Sequence, residues 1–280
     1  MEVAATRGAS MTADWRVGIA GFGAIGSKVG AALDRGIEGL ALEAVCVRDA
    51  ARAKGQMAGF RRAVDVCSAE ALAERCEVVV ECAPSAAFVG IAAPALRRKR
   101  ILLTVSAAAL IEHPEMIELA AKSGGRIILA TGALLGLDAV RAAAEGTIRS
   151  VRMVTRKPPL SLAGAPYLAE HGIAIDNLTA PLLVFSGTAR EGARGFPANV
   201  NVAAALGLAG IGPDRTELEI WADPSVDRNT HTIIVDADSA RFSMTIENVP
   251  SEEKPGTGRI TPLSVIAALR ALRAPLRVGT

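Results

Sequence analysis

The hexapeptide Gly21-Phe22-Gly23-Ala24-Ile25-Gly26 constrains the fold of this chain more than any other stretch. It follows an apolar run, residues 16–20 (RVGIA), and opens the segment SKVGAALDRG. There Ile25, Val29, Ala32 and Leu33 fall at helical spacing, and Gly36 supplies a stop. G-x-G-x-x-G hexapeptides arise by chance, but a strand before and a helix after give this one its meaning. Gly21 permits the tight turn, Gly23 leaves the backbone open to a pyrophosphate, and Gly26 lets helix and strand pack closely. The helix N-terminus adds amide donors and partial positive charge. Residues 40–47 (LALEAVCV) read as the next strand and complete a βαβ unit.

The alternation continues with a helix over 69–75, a strand over 78–82 (VVVEC) and a helix over 85–98. A strand over 101–105 (ILLTV), a helix over 114–123 closed by Gly124-Gly125, and a strand over 126–130 (RIILA) follow. This rhythm specifies an α/β fold, a doubly wound parallel sheet of the Rossmann type, over residues 14–132. After a helix over 133–145 the pattern changes. Strands at 147–155, 182–185, 217–222, 230–235 and 241–246 show period-two patterning and lack the βαβ rhythm. We read residues 133–254 as a second, α+β domain with a mostly antiparallel sheet and an interior helix over 200–209. The linker SEEKPGTGR leads to a last helix over 262–273. The segment 255–280 is expected to pack back on the first domain.

Composition excludes several classes. The net charge is +2 and only nine residues are aromatic, so there is no basic, stacking surface for nucleic acid. The apolar runs are broken by Gly, Pro or charge before the ~18 residues of a membrane span. The first thirteen residues, MEVAATRGASMTA, lack the apolar core of a secretory signal and read as a loose extension. Cys46, Cys67, Cys76 and Cys82 form no C-x-x-C pair and have no nearby His, so no metal site is expected. They read as small buried residues of a protein in the reducing cytoplasm.

Selectivity between the two nicotinamide dinucleotides is read at the end of the second strand, where an acid holds the ribose 2′-OH of NAD. Here the strand ends Val45-Cys46-Val47-Arg48-Asp49. Arg48 can neutralise a 2′-phosphate, and Asp49 stands one or two positions late. We expect NAD or NADP to be accepted, with a lean to NADP.

Hydride chemistry needs a proton-handling group and charges to hold the substrate. Of three histidines, His113 and His171 fall in turn-like segments and His231 begins an apolar strand after the polar group Arg228-Asn229-Thr230. Two further concentrations are FPANVNVAAALGLAGIGPDRT, where Asn199 or Asn201 can cap the helix, and Thr155-Arg156-Lys157-Pro158-Pro159, two cations before a stiff turn.

Together these blocks, with VVVECA, ATGALLGLDAV, DPSVDRNTHTI and IENVPSEEKP, resemble the L-aspartate dehydrogenases from about Arg16 to the C-terminus. The resemblance implies NAD(P)-dependent oxidation of L-aspartate to iminoaspartate, then release of oxaloacetate and ammonia, a reaction that can feed NAD synthesis, by a homodimer in which residues 133–254 are the catalytic and dimerisation domain. It implies that His231 is the catalytic histidine and that Ala133 and Asn201 contact the dinucleotide. The expected dinucleotide contacts also include Gly21, Gly23, Ala24, Ile25, Gly26, Arg48 and Ala83. For the substrate carboxylates the candidates are Arg156, Lys157 and Arg228, with Asn199 beside them.

The chain departs from the family pattern at Ser106-Ala107-Ala108-Ala109, where Ser-x-Gly-Ala is usual, and at Ala130-Thr131. Ala107 is expected to crowd a loop near the nicotinamide. Two alternatives stand beside this reading. One is a two-domain relative of the dihydrodipicolinate reductase or homoserine dehydrogenase kind. The other is a non-catalytic dinucleotide sensor. A phosphorylating aldehyde dehydrogenase needs a nucleophilic Cys in the second half, and every Cys lies before residue 83.

Overall fold

The structure, a computed structural model, describes residues 13–196, 200–253 and 257–279. The first part of the chain runs β1 (Trp15–Ala20), α1 (Gly26–Arg35), β2 (Leu40–Cys46), α2 (Ala50–Gln56), β3 (Asp65–Val66), α3 (Ala69–Arg75) and β4 (Val78–Glu81). It continues α4 (Phe88–Arg97), β5 (Ile101–Thr104), α5 (Ala107–Glu112), α6 (Glu115–Ser123) and β6 (Arg126–Leu129). These strands form one parallel sheet in the order β3-β2-β1-β4-β5-β6. The chain starts in the middle, winds outward, then returns and winds the other way, and that reversal opens a crevice at the strands' carboxyl ends. Both faces are covered. Val17, Ile19, Val78, Val80 and Leu103 pack under α1, while Val79 and Leu102 pack with Phe88 and Leu96 of α4 on the other side. Burial on both faces is why these strands read as unbroken apolar runs. The cysteines sit in these layers as free thiols.

The second part contains α7 (Leu137–Ala144), β7 (Ile148–Lys157), α8 (Pro166–Glu170), β8 (Leu182–Thr188), α9 (Ala189–Gly195) and α10 (Asn201–Ala209). It ends with β9 (Thr216–Ala222), β10 (Asn229–Ala237), β11 (Arg241–Asn248) and α11 (Ile260–Arg273). Its sheet has the order β11-β10-β7-β9-β8 and is mixed, since β7 and β9 run parallel while the other neighbours are antiparallel. Val151, Met153, Leu218, Ile220, Ile233 and Val235 turn one face toward α10, whose residues 202–207 are buried.

Four details differ from the sequence reading. Ala107 does not crowd a loop: it opens α5, fully buried, and packs with Ala108 against Ala204 and Ala205 of α10. The run of small side chains is what lets the two helices approach. The helix expected from 133 begins at Leu137, because Gly132 and Gly136 take positive φ (67° and 66°) and turn the chain first. Strand β7 runs two residues past the expected 155, so Arg156 and Lys157 are its last residues, one residue apart on opposite faces. Short helices α2 and α9, each capped by a side chain (Asp49 and Thr188), interrupt stretches that carry little apolar periodicity.

Helix α11 packs on α1, with Val265 and Leu269 buried in the core beside Val29 and Leu33. Ser264 Oγ accepts from the Gly132 amide at 3.0 Å, which ties α11 to the turn after β6. No helix among the described residues is long and apolar enough to cross a membrane.

Candidate active site

The glycine loop divides its labour as the spacing implies. Gly21 has φ +90°, and a Cβ there would stand 2.7 Å from Ala83 N and Cys82 O. A Cβ on Gly26 would stand 2.0 Å from Gly21 O, so only glycine allows α1 to start this close to the turn. Around Gly23 nothing lies within 4 Å of that position, and the residue is exposed. Helix α1 has no side-chain cap and no acid in its first turn, and although Ser27 N donates to Gly23 O at 3.0 Å, its N-terminus carries no side chain that competes with an anion. The loop therefore fits a dinucleotide pyrophosphate on its own geometry.

Three contacts hold the loop. Gly21 N donates to Cys46 O at 2.9 Å, which fastens it to the end of β2. The Cys82 thiol sits 3.2 Å from Gly21 O. Ala83 abuts Gly21 and donates its amide to Glu81 Oε1 at 2.9 Å. Glu81 is fully buried at the end of β4, and its other oxygen accepts from Thr104 Oγ1 at 2.6 Å. Burial raises its pKa. This acid joins β4 and β5 beneath the crevice and was not singled out from sequence, since one acid in an apolar run shows nothing of its partners.

From Ile25 a cleft of about 710 Å³, open mouth included, runs past Val105 and the Thr131–Ala133 turn to Lys157, Asn201, Asn229, His231 and Asn248. Thr257, Gly258 and Thr261 close it from the α11 side. It lies where strands β1, β5 and β6 end and the second sheet begins, the general place for ligands in open α/β sheets.

His231 is 2% exposed on β10. Its cross-strand neighbour Thr155 holds Nδ1, with Oγ1 at 3.0 Å. With Nδ1 engaged, Nε2 is the nitrogen left for the cleft. Burial, aided by the Lys157 charge, lowers its pKa to about 3, so the imidazole is neutral at pH 7 and keeps a lone pair on one ring nitrogen. Lys157 lies two residues from Thr155 on the same face of β7, 3% exposed, and burial lowers its pKa to about 8. The other histidines are engaged elsewhere: His113 with Glu115 at 3.0 Å, and His171 stacked on Tyr167 at 3.9 Å.

The remaining expected residues divide. Asn201 opens α10, but it does not cap it. Its Oδ1 accepts from Ala108 N of α5 at 3.0 Å, and Val200 occupies the cap position. Asn199 lies outside the described residues. Ala133 lines the cleft and its carbonyl accepts from Asn248 Nδ2 at 3.0 Å. Ala24 is half-buried in the glycine loop. Arg48 is exposed just past β2, and Asp49 spends its carboxylate on the α2 cap, accepting from Arg52 N at 2.9 Å. Arg156 faces away from the cleft, paired with Asp223 at 2.9 Å and 5.0 Å over the Trp221 ring. Arg228 is half-exposed beside Asp227 and does not line the cleft. Of the three cations proposed from sequence, the structure brings Lys157 alone to His231. Thr155, Asn229 and Asn248 join the site, and strand register could have indicated the first.

Comparison with known proteins agrees with this geometry. Residues 138–272 match the family model described as aspartate dehydrogenase, C-terminal, and residues 21–130 match the homoserine dehydrogenase NAD-binding domain. The chain is 56% identical to the L-aspartate dehydrogenase of Bradyrhizobium diazoefficiens, over 96% of this chain and 95% of the relative. It is 54% identical to L-aspartate dehydrogenase 3 of Bordetella bronchiseptica, over 94% and 97%. Among solved structures, aspartate dehydrogenase from Thermotoga maritima shares the fold, with a TM-score of 0.73 at 24% identity over 95% of this chain and 99% of that one. A homoserine dehydrogenase from Thiobacillus denitrificans shares it at a TM-score of 0.61 and 14% identity, over 92% and 72%. The chain thus belongs to the L-aspartate dehydrogenase family of NAD(P)-dependent oxidoreductases.

Proposed function

We propose that this protein oxidises L-aspartate to iminoaspartate with NAD or NADP, followed by hydrolysis to oxaloacetate and ammonia. The observation that carries the reading is one cleft that joins the open glycine loop to a buried, neutral His231 and a buried cationic Lys157. A nicotinamide dinucleotide held here would supply the acceptor for the hydride that leaves the substrate Cα. The chain's own residues do the rest. His231 Nε2 takes the proton from the substrate amine and releases it to solvent; it then takes a proton from the water that adds to the imine and returns it to the nitrogen that leaves as ammonia. Thr155 fixes the ring for both transfers. Lys157 meets a substrate carboxylate, an ion pair strengthened by the low dielectric of the cleft. Gly21, Gly23, Ala24, Ile25 and Gly26 hold the pyrophosphate, with Ala83, Ala133 and Asn201 along the dinucleotide and Arg48 toward the ribose.

In this reading residues 14–132 form the dinucleotide domain, with the segment 255–280 returning to it, and 133–254 form the catalytic domain. The enzyme is a cytoplasmic homodimer that can supply iminoaspartate to NAD synthesis.

The test is His231→Ala. The rate should fall roughly 10²–10⁴-fold, as loss of a general base does, with dinucleotide affinity unchanged. Aspartate oxidation near the wild-type rate would refute the assignment.

A further inference from the structure

Asn248 ends β11 and is 4% exposed. Its Nδ2 donates to Ala133 O at 3.0 Å, so the amide is held one way round. The other end of that amide, Oδ1, is buried and has no hydrogen-bond partner among the described residues. Buried acceptors in folded proteins are nearly always paired. Gly258 packs beside this oxygen, where a Cβ would stand 2.9 Å from Oδ1 and leave no room for a donor. Asn248 lines the cleft with His231 and Lys157, and its register partner on β10 is Asn229.

The neighbouring amides are engaged. Asn201 Oδ1 accepts from Ala108 N, and Asn229 Oδ1 stands 3.4 Å from Ser161 Oγ. Lys157 can only donate. A dicarboxylic amino acid brings two groups that accept and one, the amine, that donates. The cleft's cation matches the former. The unpartnered oxygen matches the latter.

We propose that Asn248 Oδ1 accepts a hydrogen bond from the substrate amino group. Asn248 is then the residue by which the cleft tells an amino acid from a dicarboxylate with no donor at Cα. The inference rests on the reading that the substrate is L-aspartate. The nicotinamide carboxamide is the other N–H donor that enters such a cleft, and the test separates the two.

Binding of L-aspartate and of succinate is measured calorimetrically on the protein saturated with NADPH, and NADPH binding is measured separately, for wild type and Asn248→Leu. The variant should weaken L-aspartate about 10–100-fold, the loss expected for a hydrogen bond to a charged group, and leave succinate and NADPH within about twofold. Asn248→Asp keeps an acceptor for the amine although it loses the donor to Ala133 O, so it should bind L-aspartate more tightly than Asn248→Leu does, and succinate no more tightly. Equal losses for both acids would mean that Asn248 only holds the turn at Ala133, and would overturn the inference. A loss confined to NADPH would assign the oxygen to the carboxamide and overturn it as well. A wild-type protein with no turnover of L-aspartate would sink the functional reading beneath it. A wild type that does turn it over, with equal losses in the variant, would sink this inference alone.

Discussion

Replacing Lys157 by methionine should move two readouts in opposite directions. Burial takes this amine from its ordinary 10.5 to about 8. At about 1.4 kcal/mol per tenfold, the folded state holds the charged form about 3 kcal/mol above its neutral form, relative to water. Methionine keeps the aliphatic stem and removes the charge, so about 3 kcal/mol is the ceiling of the gain at pH 7. Contacts that Lys157 makes in the folded chain reduce it, and we expect about 1–3 kcal/mol. That corresponds to about 2–4 °C in Tm for each kcal/mol in chains near this length.

The pH dependence carries the sign. The folded pKa lies below the unfolded one, so between about 8 and 10.5 the unfolded chain binds more protons and wild-type stability rises with pH. Lys157→Met should lack that rise. In the same variant succinate binding should weaken at least ~30-fold, as truncation of one partner of a buried charge pair does. Wild-type succinate binding should itself weaken as pH climbs past about 8. Urea unfolding at two pH values and calorimetric titration read both effects. A variant less stable than wild type at pH 7, with the alkaline rise retained and succinate bound normally, would refute the argument.

Other substitutions separate structure from binding. Gly26→Ala places a Cβ 2.0 Å from Gly21 O and should lower stability by about 1–3 kcal/mol or more, seen as a drop in Tm. Gly23→Ala meets nothing within 4 Å, so Tm should hold while dinucleotide affinity falls at least ~10-fold, measured by fluorescence titration. Thr155→Val leaves His231 neutral and buried but unheld at Nδ1, and kcat should fall about 10–100-fold with KM little changed. Arg48→Ala should raise the KM for NADP about tenfold and leave that for NAD nearly unchanged, in steady-state assays with each cofactor.

The first sheet was legible because its central strands β1, β4 and β5 are apolar runs buried on both faces, and because α1 and α6 each show one apolar stripe, whereas α2 buries only Ala53 and shows none. The glycine loop was legible down to the task of each glycine. His231 could be reached through its polar neighbours and the family resemblance. What sequence could not order were the cations. Arg156 and Lys157 are adjacent, and only the pleat of β7 decides that Lys157 enters the cleft while Arg156 leaves it for Asp223 and Trp221. The partner of Asn201 and the whole role of Asn248 were hidden for a related reason. Their partners, Ala108 and Ala133, lie 93 and 115 residues away, and no local pattern encodes such contacts. Ala107 misled because an alanine run says nothing of which helix it will meet.

The central claim is that this cleft performs NAD(P)-dependent oxidation of an amino dicarboxylate. It is tested most directly by supplying L-aspartate, L-homoserine, L-glutamate and L-malate in turn with NAD and with NADP, while following reduced cofactor, ammonia and oxaloacetate. The account predicts turnover with L-aspartate, with ammonia and oxaloacetate formed in equal amounts to reduced cofactor, and loss of that turnover in His231→Ala. Cofactor binding without turnover of any acid, or turnover of L-homoserine in place of L-aspartate, would contradict it.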